Sequence, residues 1–143
     1  MKRRGFDAVL GAAILALVSG CLAADAGAEG ARLEAEIRRL IGSAACTASE
    51  QCRTLAFGAK ACGGPQSYLA WSTQGTDPAA LQTAAERYAT WRREDLNRRG
   101  VMSDCALVVD PGAACVPDPA ASVPAQGTCR LLGGRRGGAR DAR

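Results

Sequence analysis

The chain has 143 residues, of which 48% are hydrophobic and only 4% aromatic, and its formal net charge is +4. That charge is concentrated at the two ends, because the segment between Cys21 and Leu132 contains eleven basic and twelve acidic residues. A nearly neutral central segment argues against a nucleic-acid-binding face. The sequence contains no histidine, which excludes Ser-His-Asp and Cys-His nucleophiles, histidine general bases and histidine-ligated metals together.

The N-terminal segment has the pattern of an export signal. Three basic residues at positions 2–4 precede an apolar run over residues 8–18, and the small residues Ser19 and Gly20 stand immediately before Cys21. The apolar run is shorter than the roughly 20 residues that a bilayer-spanning helix needs. The stretch "LVSGC", which ends at Cys21, resembles the lipobox of bacterial lipoproteins.

This resemblance implies a specific fate for Cys21. In that family the thiol is alkylated with diacylglycerol, the peptide is cut just before the cysteine, and the new amine is usually acylated, typically with palmitate. Two or more acyl chains give stable anchoring, whereas one chain is marginal. Since Leu22 rather than aspartate follows, the resemblance implies an outer-membrane location facing the periplasm. The alternative is an ordinary secretory signal that is cut later, after Ala24 or within residues 26–28.

The other six cysteines form an even set, which suits three disulfides in an oxidising compartment. They are Cys46, Cys52, Cys62, Cys105, Cys115 and Cys129. Six cysteines allow about 15 pairings, among which sequence alone does not choose. Our hypothesis pairs Cys46 with Cys52, Cys62 with Cys105, and Cys115 with Cys129. A zinc site is the competing use of these thiols, and it is disfavoured because no CxxC pair and no histidine is present.

Composition and pattern divide the chain into four segments. We expect a lipoprotein signal peptide at 1–20, a tether with a short helix at 21–44, a disulfide-stabilised α+β domain at 45–132, and a disordered Gly/Arg-rich tail at 133–143. A domain this small has a marginal core, so disulfides are expected to supplement it. The fold class is a small disulfide-rich α+β domain with one long helix and a few short antiparallel strands.

Local sequence patterns predict two helices, a helical turn and several short strands. A stripe of Leu33, Ile37 and Leu40 predicts a helix over residues 31–42. The stretch "TASE" at 47–50 has the spacing of a capping box and predicts a helical turn. Asp77 as N-cap, Pro78 as first residue and Gly100 as stop predict the long helix, in which burial is expected to fade over the last turns. Short strands are predicted at 53–60, 67–73, 106–110, 113–116 and 127–132.

Few residues offer catalytic chemistry. Lys60 as a base for Ser67 or Ser72 would resemble a Ser-Lys hydrolase, but a solvated lysine beside a turn is the favoured interpretation. The acid pairs Glu94 with Asp95, and Asp104 with Asp110, are the glycosidase-like candidates, yet adjacent helical residues do not face each other. We therefore expect no catalytic residue, no cofactor, no metal and no enzymatic activity.

Two function classes remain. The first is a lipid-anchored envelope protein whose domain is a non-enzymatic binding or structural module, with the membrane and another envelope protein as partners. The second is an inhibitor of a secreted hydrolase, since a loop held by disulfides is preorganised to enter an active site. The candidate binding loop contains Lys60, Gly63, Gly64 and Pro65, with Lys60 suited to a trypsin-like specificity pocket.

Overall fold

The structure, a computed structural model, describes residues 27–119 and 126–133. Cys21, the signal segment and the tail beyond residue 133 lie outside the described residues. The described elements are helix α1 (residues 27–41), β1 (Ala45–Cys46), a 3-10 turn (Ser49–Gln51), β2 (Cys52–Phe57), β3 (Ser67–Ser72), α2 (Pro78–Arg98), β4 (Ala113–Pro117) and β5 (Gly127–Leu131).

The strands form two small antiparallel sheets. Strands β2 and β3 make a hairpin in which Cys52 lies opposite Ser72 and Phe57 opposite Ser67. The second sheet has the order β1-β5-β4, with Ala45 opposite Thr128 in β5. Two helices, two antiparallel sheets and three disulfides confirm the predicted class, a small disulfide-rich α+β domain.

Helix α2 begins and ends where its capping residues predict. The Asp77 carboxylate accepts hydrogen bonds from two backbone N–H groups of the first turn, at 2.9 and 3.2 Å, and Pro78 occupies that turn. Gly100 adopts a positive φ of 62° after the helix, which glycine does without a side-chain clash. The Val101 N–H bonds to the Leu96 carbonyl at 3.1 Å, and this contact closes the C-terminal cap.

Several other predicted elements are shifted or shorter. Helix α1 includes residue 27, which lies four positions before the predicted start at residue 31. The turn predicted at "TASE" is a 3-10 turn over Ser49–Gln51, and Gln51 rather than Glu50 reaches back to it, since Gln51 Oε1 accepts the Thr47 N–H at 2.8 Å. Strand β2 ends at Phe57 because Gly58 has a positive φ of 68°.

One core joins both helices to the hairpin. Leu33 and Ile37 of α1 are buried against Phe57 of β2 and against Leu81 and Tyr88 of α2. The rings of Phe57 and Tyr88 stack with centroids 4.7 Å apart. Each buried aliphatic or aromatic side chain contributes roughly 1.5–3 kcal/mol of transfer free energy. Helix α1 therefore belongs to the same core as the disulfide-bonded strands.

Helices α1 and α2 run antiparallel. Near the start of α1, Gly30 lies directly against the indole of Trp91, and further along Glu36 forms an ion pair with Arg87 at 3.3 Å. Residues 39–45 line a cavity together with residues 74–76, just before α2 begins. Successive positions of α1 thus meet successively earlier positions of α2. The start of α1 and the end of α2 lie at the same end of the domain.

That shared end is called the loop end below. Phe57 packs on Tyr88, and the segment that follows β2 lines a cavity with Arg92 and Leu96 in the last turns of α2. The opposite end holds the β1-β5-β4 sheet, because β1 begins directly after α1 ends. It is called the sheet end.

The disulfide pairing corrects two of the three predicted pairs. The bonds are Cys46–Cys115, Cys52–Cys129 and Cys62–Cys105. Only the last was expected. Cys115 and Cys129 do lie opposite each other in the β4–β5 ladder, but each bonds to a cysteine of another element. The prediction failed because it paired cysteines close in sequence, whereas the strand order brings chain-distant strands together.

The predicted strand at 106–110 is absent. Residues 101–112 form no helix or strand. The apolar run at 106–109 has the composition of a strand, but Cys105 adopts a left-handed φ of 54° immediately before it. The carbonyl of Ala106 accepts a hydrogen bond from the Lys60 ammonium at 2.6 Å instead of from a neighbouring strand. The segment is a loop fixed by side chains.

Candidate functional site

The segment from 101 to 110, called the apolar loop below, presents large hydrophobic side chains to solvent. Met102 is 91% exposed, Leu107 86% and Val109 72%. A domain this poor in aromatic residues would ordinarily bury such side chains in its core. A group of exposed apolar side chains on one segment is typical of an interaction surface, whereas scattered single residues are not.

The apolar loop is fixed to the segment that follows β2. Cys105 is bonded to Cys62, with their Cα atoms 5.4 Å apart. The Lys60 ammonium lies 2.9 Å from Oδ1 of Asp104 and also binds the neighbouring backbone. At the far end of the loop, the Thr54 hydroxyl donates to Oδ2 of Asp110 at 2.6 Å. These contacts hold an exposed backbone in one conformation, which reduces the entropy lost on binding.

Both carboxylates that fix the loop have a lowered pKa. The side-chain hydrogen bond from Lys60 is the main cause at Asp104, followed by the backbone N–H of Ala106. At Asp110 the pKa is lowered first by the Thr54 hydroxyl and then by the backbone N–H of Gly112. A carboxylate that accepts hydrogen bonds is favoured in its charged form. The loop contacts therefore depend on ionised aspartates.

The candidate binding loop of the sequence analysis lies beside the apolar loop. Lys60 and Gly64 close it through a backbone hydrogen bond of 3.1 Å, and Gly63 and Gly64 are exposed with φ of 94° and 74°. Pro65, which follows, is half-buried. The Lys60 side chain is only 16% exposed, and its ammonium is bound to Asp104 and to the Ala106 carbonyl. The cation proposed for a specificity pocket is thus engaged inside the domain.

A group of arginines surrounds Asp95 near the end of α2. Asp95 Oδ2 lies 3.3 Å from guanidinium nitrogens of both Arg92 and Arg99, and Oδ1 lies 3.6 Å from Arg98. Asp95 and Leu96 are buried, so burial does not fade in the last turns as predicted. Three guanidinium groups around one carboxylate leave local positive charge, and Arg98 and Arg99 are more than half exposed.

A cavity of about 290 Å³ lies under the apolar loop at the loop end. Lys60, Arg92, Leu96, Val101 and Met102 are among the residues that line it. Within the described part of the chain, Nε of Arg92 is buried and has no hydrogen-bond partner. The loop end therefore combines apolar side chains with cationic groups.

The catalytic candidates are not assembled into a site by the described contacts. Ser72 is paired with Cys52 at one end of the hairpin, whereas Lys60 lies beyond the other end. Ser67 is paired with Phe57 at the same end as Lys60, but the Lys60 ammonium is bound to Asp104 and to the Ala106 carbonyl. Asp104 binds Lys60 and Asp110 binds Thr54, so each acid is used in a separate structural contact. In the other acid pair, Asp95 is buried under arginines while its neighbour Glu94 is exposed.

Three buried sulfur atoms also lie close together. The Sγ atoms of Cys46, Cys52 and Cys129 are within 4.8 Å of one another. Zinc binds cysteine as the thiolate. In this structure the three sulfurs belong to two adjacent disulfides, Cys46–Cys115 and Cys52–Cys129, and serve as crosslinks at the junction of the two sheets.

The residues that the sequence analysis missed are the exposed apolar ones, Met102, Leu107 and Val109. Leu107 and Val109 were assigned to a strand at 106–110 because that run is β-prone and apolar, and Met102 was assigned to no element. The sequence did contain a signal: the segment between the helix stop at Gly100 and the glycine at 112 is short and has Cys105 near its middle. A short segment crosslinked at its centre is typical of a tethered loop.

No protein-family model, curated protein or solved structure matches this chain. The fold and its exposed loop therefore define the protein as a small disulfide-rich α+β domain with a crosslinked apolar surface. Among the described residues, neither helix combines the length and the hydropathy required to cross a bilayer.

Proposed function

We propose that this protein is a lipid-anchored envelope protein whose disulfide-bonded domain is a non-enzymatic binding module. The observation that carries the proposal is the apolar loop, which holds Met102 and Leu107 in solvent on a backbone fixed by Cys62–Cys105. A monomeric domain gains nothing in stability from side chains it leaves exposed. A binding partner would account for both their exposure and the rigidity of the loop.

The arithmetic of the cysteines supports the lipid anchor. The chain contains seven cysteines, and the three disulfides use six of them. The one left over is Cys21, which stands at the end of the "LVSGC" motif. Thioether attachment of diacylglycerol would use the odd thiol, which would otherwise be reactive in an oxidising compartment.

Two measurements test the anchor. Mass spectrometry of the protein purified from membranes should find an acylated Cys21 as its first residue. Substitution Cys21→Ser should release the protein to the soluble fraction with all three disulfides retained. An N-terminus downstream of residue 21, or membrane retention of the variant, would contradict lipid anchoring.

The binding role is tested at Met102. The chain contains only two methionines, Met1 and Met102, so photoreactive diazirine-methionine marks residue 102 in the processed protein. Illumination of intact cells should give intermolecular adducts at residue 102. The matched control carries Met102→Leu and Val116→Met, which moves the label to an exposed apolar position at the sheet end. Equal adduct yields from both proteins would refute a binding surface at the apolar loop.

Inhibition of a secreted hydrolase is the second candidate, favoured by the crosslink between the two loops. Because Lys60 is engaged with Asp104, an inhibitory contact would have to use Met102 or Leu107, and hydrolases that accept large apolar residues become the relevant class. Saturable inhibition of a chymotrypsin-like protease would support it. Cleavage in the apolar loop without inhibition would count against it.

A further inference from the structure

We infer that the apolar loop and the arginines beside it form a membrane-contact surface that seats the domain on anionic lipid next to its anchor. This inference rests on the proposed lipid anchoring and names the partner of the same loop. The occupant is the bilayer surface.

The anchor would lie close to the apolar loop. Residues 22–26 alone separate Cys21 from the first described residue of α1. Even a fully extended chain spans at most about 3.6 Å per residue, so this connection reaches roughly 20 Å. The start of α1 lies at the loop end, because Gly30 packs on Trp91. Acyl chains on Cys21 would therefore favour the loop end over the sheet end for contact with the headgroups.

The chemistry of the loop end matches a bilayer interface. Met102 and Leu107 are flexible, unbranched or γ-branched apolar side chains that suit the boundary between headgroups and acyl chains. Arg98 and Arg99 are more than half exposed just before the loop begins. Arginine beside an apolar surface keeps its charge among anionic headgroups while its stem contacts apolar groups. Insertion of the apolar side chains and attraction of the arginines to anionic headgroups would both act at the loop end.

The positive charge that would attract anionic lipid is concentrated at the loop end and is not spread over the whole domain. The last turns of α2 contain four arginines, at positions 92, 93, 98 and 99, against the two acids Glu94 and Asp95. Within the apolar loop, the one charged residue before Asp110 is Asp104, which is neutralised by Lys60. The segment between Cys21 and Leu132 is nearly neutral as a whole, so the excess positive charge at the loop end is local.

An exposed apolar residue at the sheet end provides a comparison with Met102 at the loop end. Val116 is also an exposed apolar residue, but it lies in β4 opposite Thr128, whose other neighbour is Ala45 just after α1 ends. A domain held by its loop end presents Val116 away from the bilayer. The two exposed apolar positions, Met102 and Val116, therefore report on opposite ends of the same molecule.

The experiment uses the lipidated protein purified from membranes, with diazirine-methionine at Met102. It is reconstituted into vesicles of mixed phosphatidylglycerol and phosphatidylcholine, or of phosphatidylcholine alone, and illuminated. Mass spectrometry should find lipid adducts on residue 102 with the mixed vesicles and several-fold fewer with phosphatidylcholine alone. The Met102→Leu, Val116→Met control, labelled at residue 116, should give few lipid adducts in either case.

The contribution of the arginines to lipid contact is tested with two double variants that remove positive charge. Substitutions Arg98→Gln and Arg99→Gln should lower the lipid adduct yield at residue 102 by roughly fivefold or more, and Arg92 remains to pair with Asp95. The matched control, Arg53→Gln with Arg130→Gln, removes two exposed arginines outside the loop end and should leave the yield unchanged. Retention of the three disulfides and of the circular dichroism spectrum confirms that each variant is folded.

Three results would overturn the inference. The first is equal lipid labelling from residues 102 and 116. The second is a lipid adduct yield at residue 102 that the Arg98→Gln and Arg99→Gln substitutions leave unchanged. The third is crosslinking of residue 102 to a protein instead of lipid in intact cells. The acylation state of Cys21 is read from the same mass spectra. An unacylated Cys21 refutes the proposed function, whereas an acylated Cys21 without lipid at residue 102 refutes this inference alone.

Discussion

The ammonium of Lys60 lies 2.9 Å from Oδ1 of Asp104, across 44 residues of sequence, and two residues away Cys62 is bonded to Cys105. One ion pair and one disulfide thus join the same two loops. The disulfide sets how far apart the loops can move, while the ion pair and the bond from Lys60 to the Ala106 carbonyl orient the segment. The exposed side chains of Met102 and Leu107 flank this junction.

Removing the cation should loosen the apolar loop without unfolding the domain. Lys60→Met keeps the apolar stem and deletes both the ion pair and the hydrogen bond to the Ala106 carbonyl. Because a partly exposed ion pair adds little to global stability, we expect a nearly unchanged melting temperature. Amide hydrogen exchange in residues 101–107 should accelerate severalfold.

The exposed Arg130 in β5 provides the control, since Arg130→Met removes a cation that lies outside this junction. Its exchange in residues 101–107 should match the wild type. Unchanged exchange in the Lys60→Met protein would show that the disulfide alone fixes the loop.

Acid should release the same loop. Asp104 and Asp110 have a lowered pKa in the folded protein, owing first to hydrogen bonds from Lys60 and from Thr54 respectively. Their stabilising contribution is complete above the ordinary aspartate pKa of about 4 and is lost as the pH falls through the lower folded values. NMR titration of the two carboxyl carbons, with the Met102 methyl signal as a reporter, measures both events.

The control for this titration is the pair of substitutions Asp104→Asn and Asp110→Asn. In that protein the Met102 methyl signal should already resemble the acid form at neutral pH and should change little on acidification. A wild-type loop that stays rigid after both carboxylates are protonated would contradict the assignment.

How far the sequence predicts this structure depends on how local each signal is. Helix α2 was predicted from residues that act within one turn, Asp77 and Pro78 at its start and Gly100 at its end, and these contacts are observed. The hairpin strands were predicted from short β-prone runs bounded by turn residues, with small errors at their ends.

The features that failed depend on contacts between distant residues. The bond between Cys46 and Cys115 follows from the strand order β1-β5-β4, and the bond between Cys52 and Cys129 follows from the packing of β2 against β5 of the other sheet. No local sequence pattern encodes either arrangement. The run at 106–109 has strand propensity but forms no strand, and its Ala106 carbonyl accepts a hydrogen bond from the Lys60 ammonium. Propensity was overridden by tertiary context in this segment.

The disulfides should contribute unequally to stability. Cys52 and Cys129 are buried and connect the two sheets across 77 residues of sequence. Replacing both with serine should lower the free energy of unfolding by about 2–5 kcal/mol. Replacing the exposed pair Cys62 and Cys105 with serine should cost less and should chiefly accelerate hydrogen exchange in the apolar loop. Chemical denaturation and exchange on both proteins measure the difference, and a larger global loss from the exposed pair would contradict it.

The packing of α1 on α2 is tested at a single glycine. A Cβ at Gly30 would overlap the ring carbons of Trp91, whereas a Cβ at Gly27, one turn earlier in the same helix, would meet nothing within 4 Å. Alanine normally stabilises a helix by about 1 kcal/mol relative to glycine. Overpacking reverses that gain and costs about 1–3 kcal/mol. We therefore expect Gly30→Ala to destabilise the protein and Gly27→Ala to stabilise it slightly or leave it unchanged.

Whether Gly30→Ala and Gly27→Ala change the free energy of unfolding in opposite directions tests how α1 packs on α2. Chemical denaturation gives the two free energies of unfolding. A change in tryptophan fluorescence in the Gly30→Ala protein that is absent from the Gly27→Ala protein is the expected accompaniment of a displaced Trp91. If both alanines stabilise, the close approach of α1 to Trp91 does not exist in solution. The start of α1 would then no longer be fixed at the loop end, and a lipid anchor at Cys21 would have no fixed position relative to Met102. Opposite signs for the two substitutions support the antiparallel packing on which the membrane-contact surface depends.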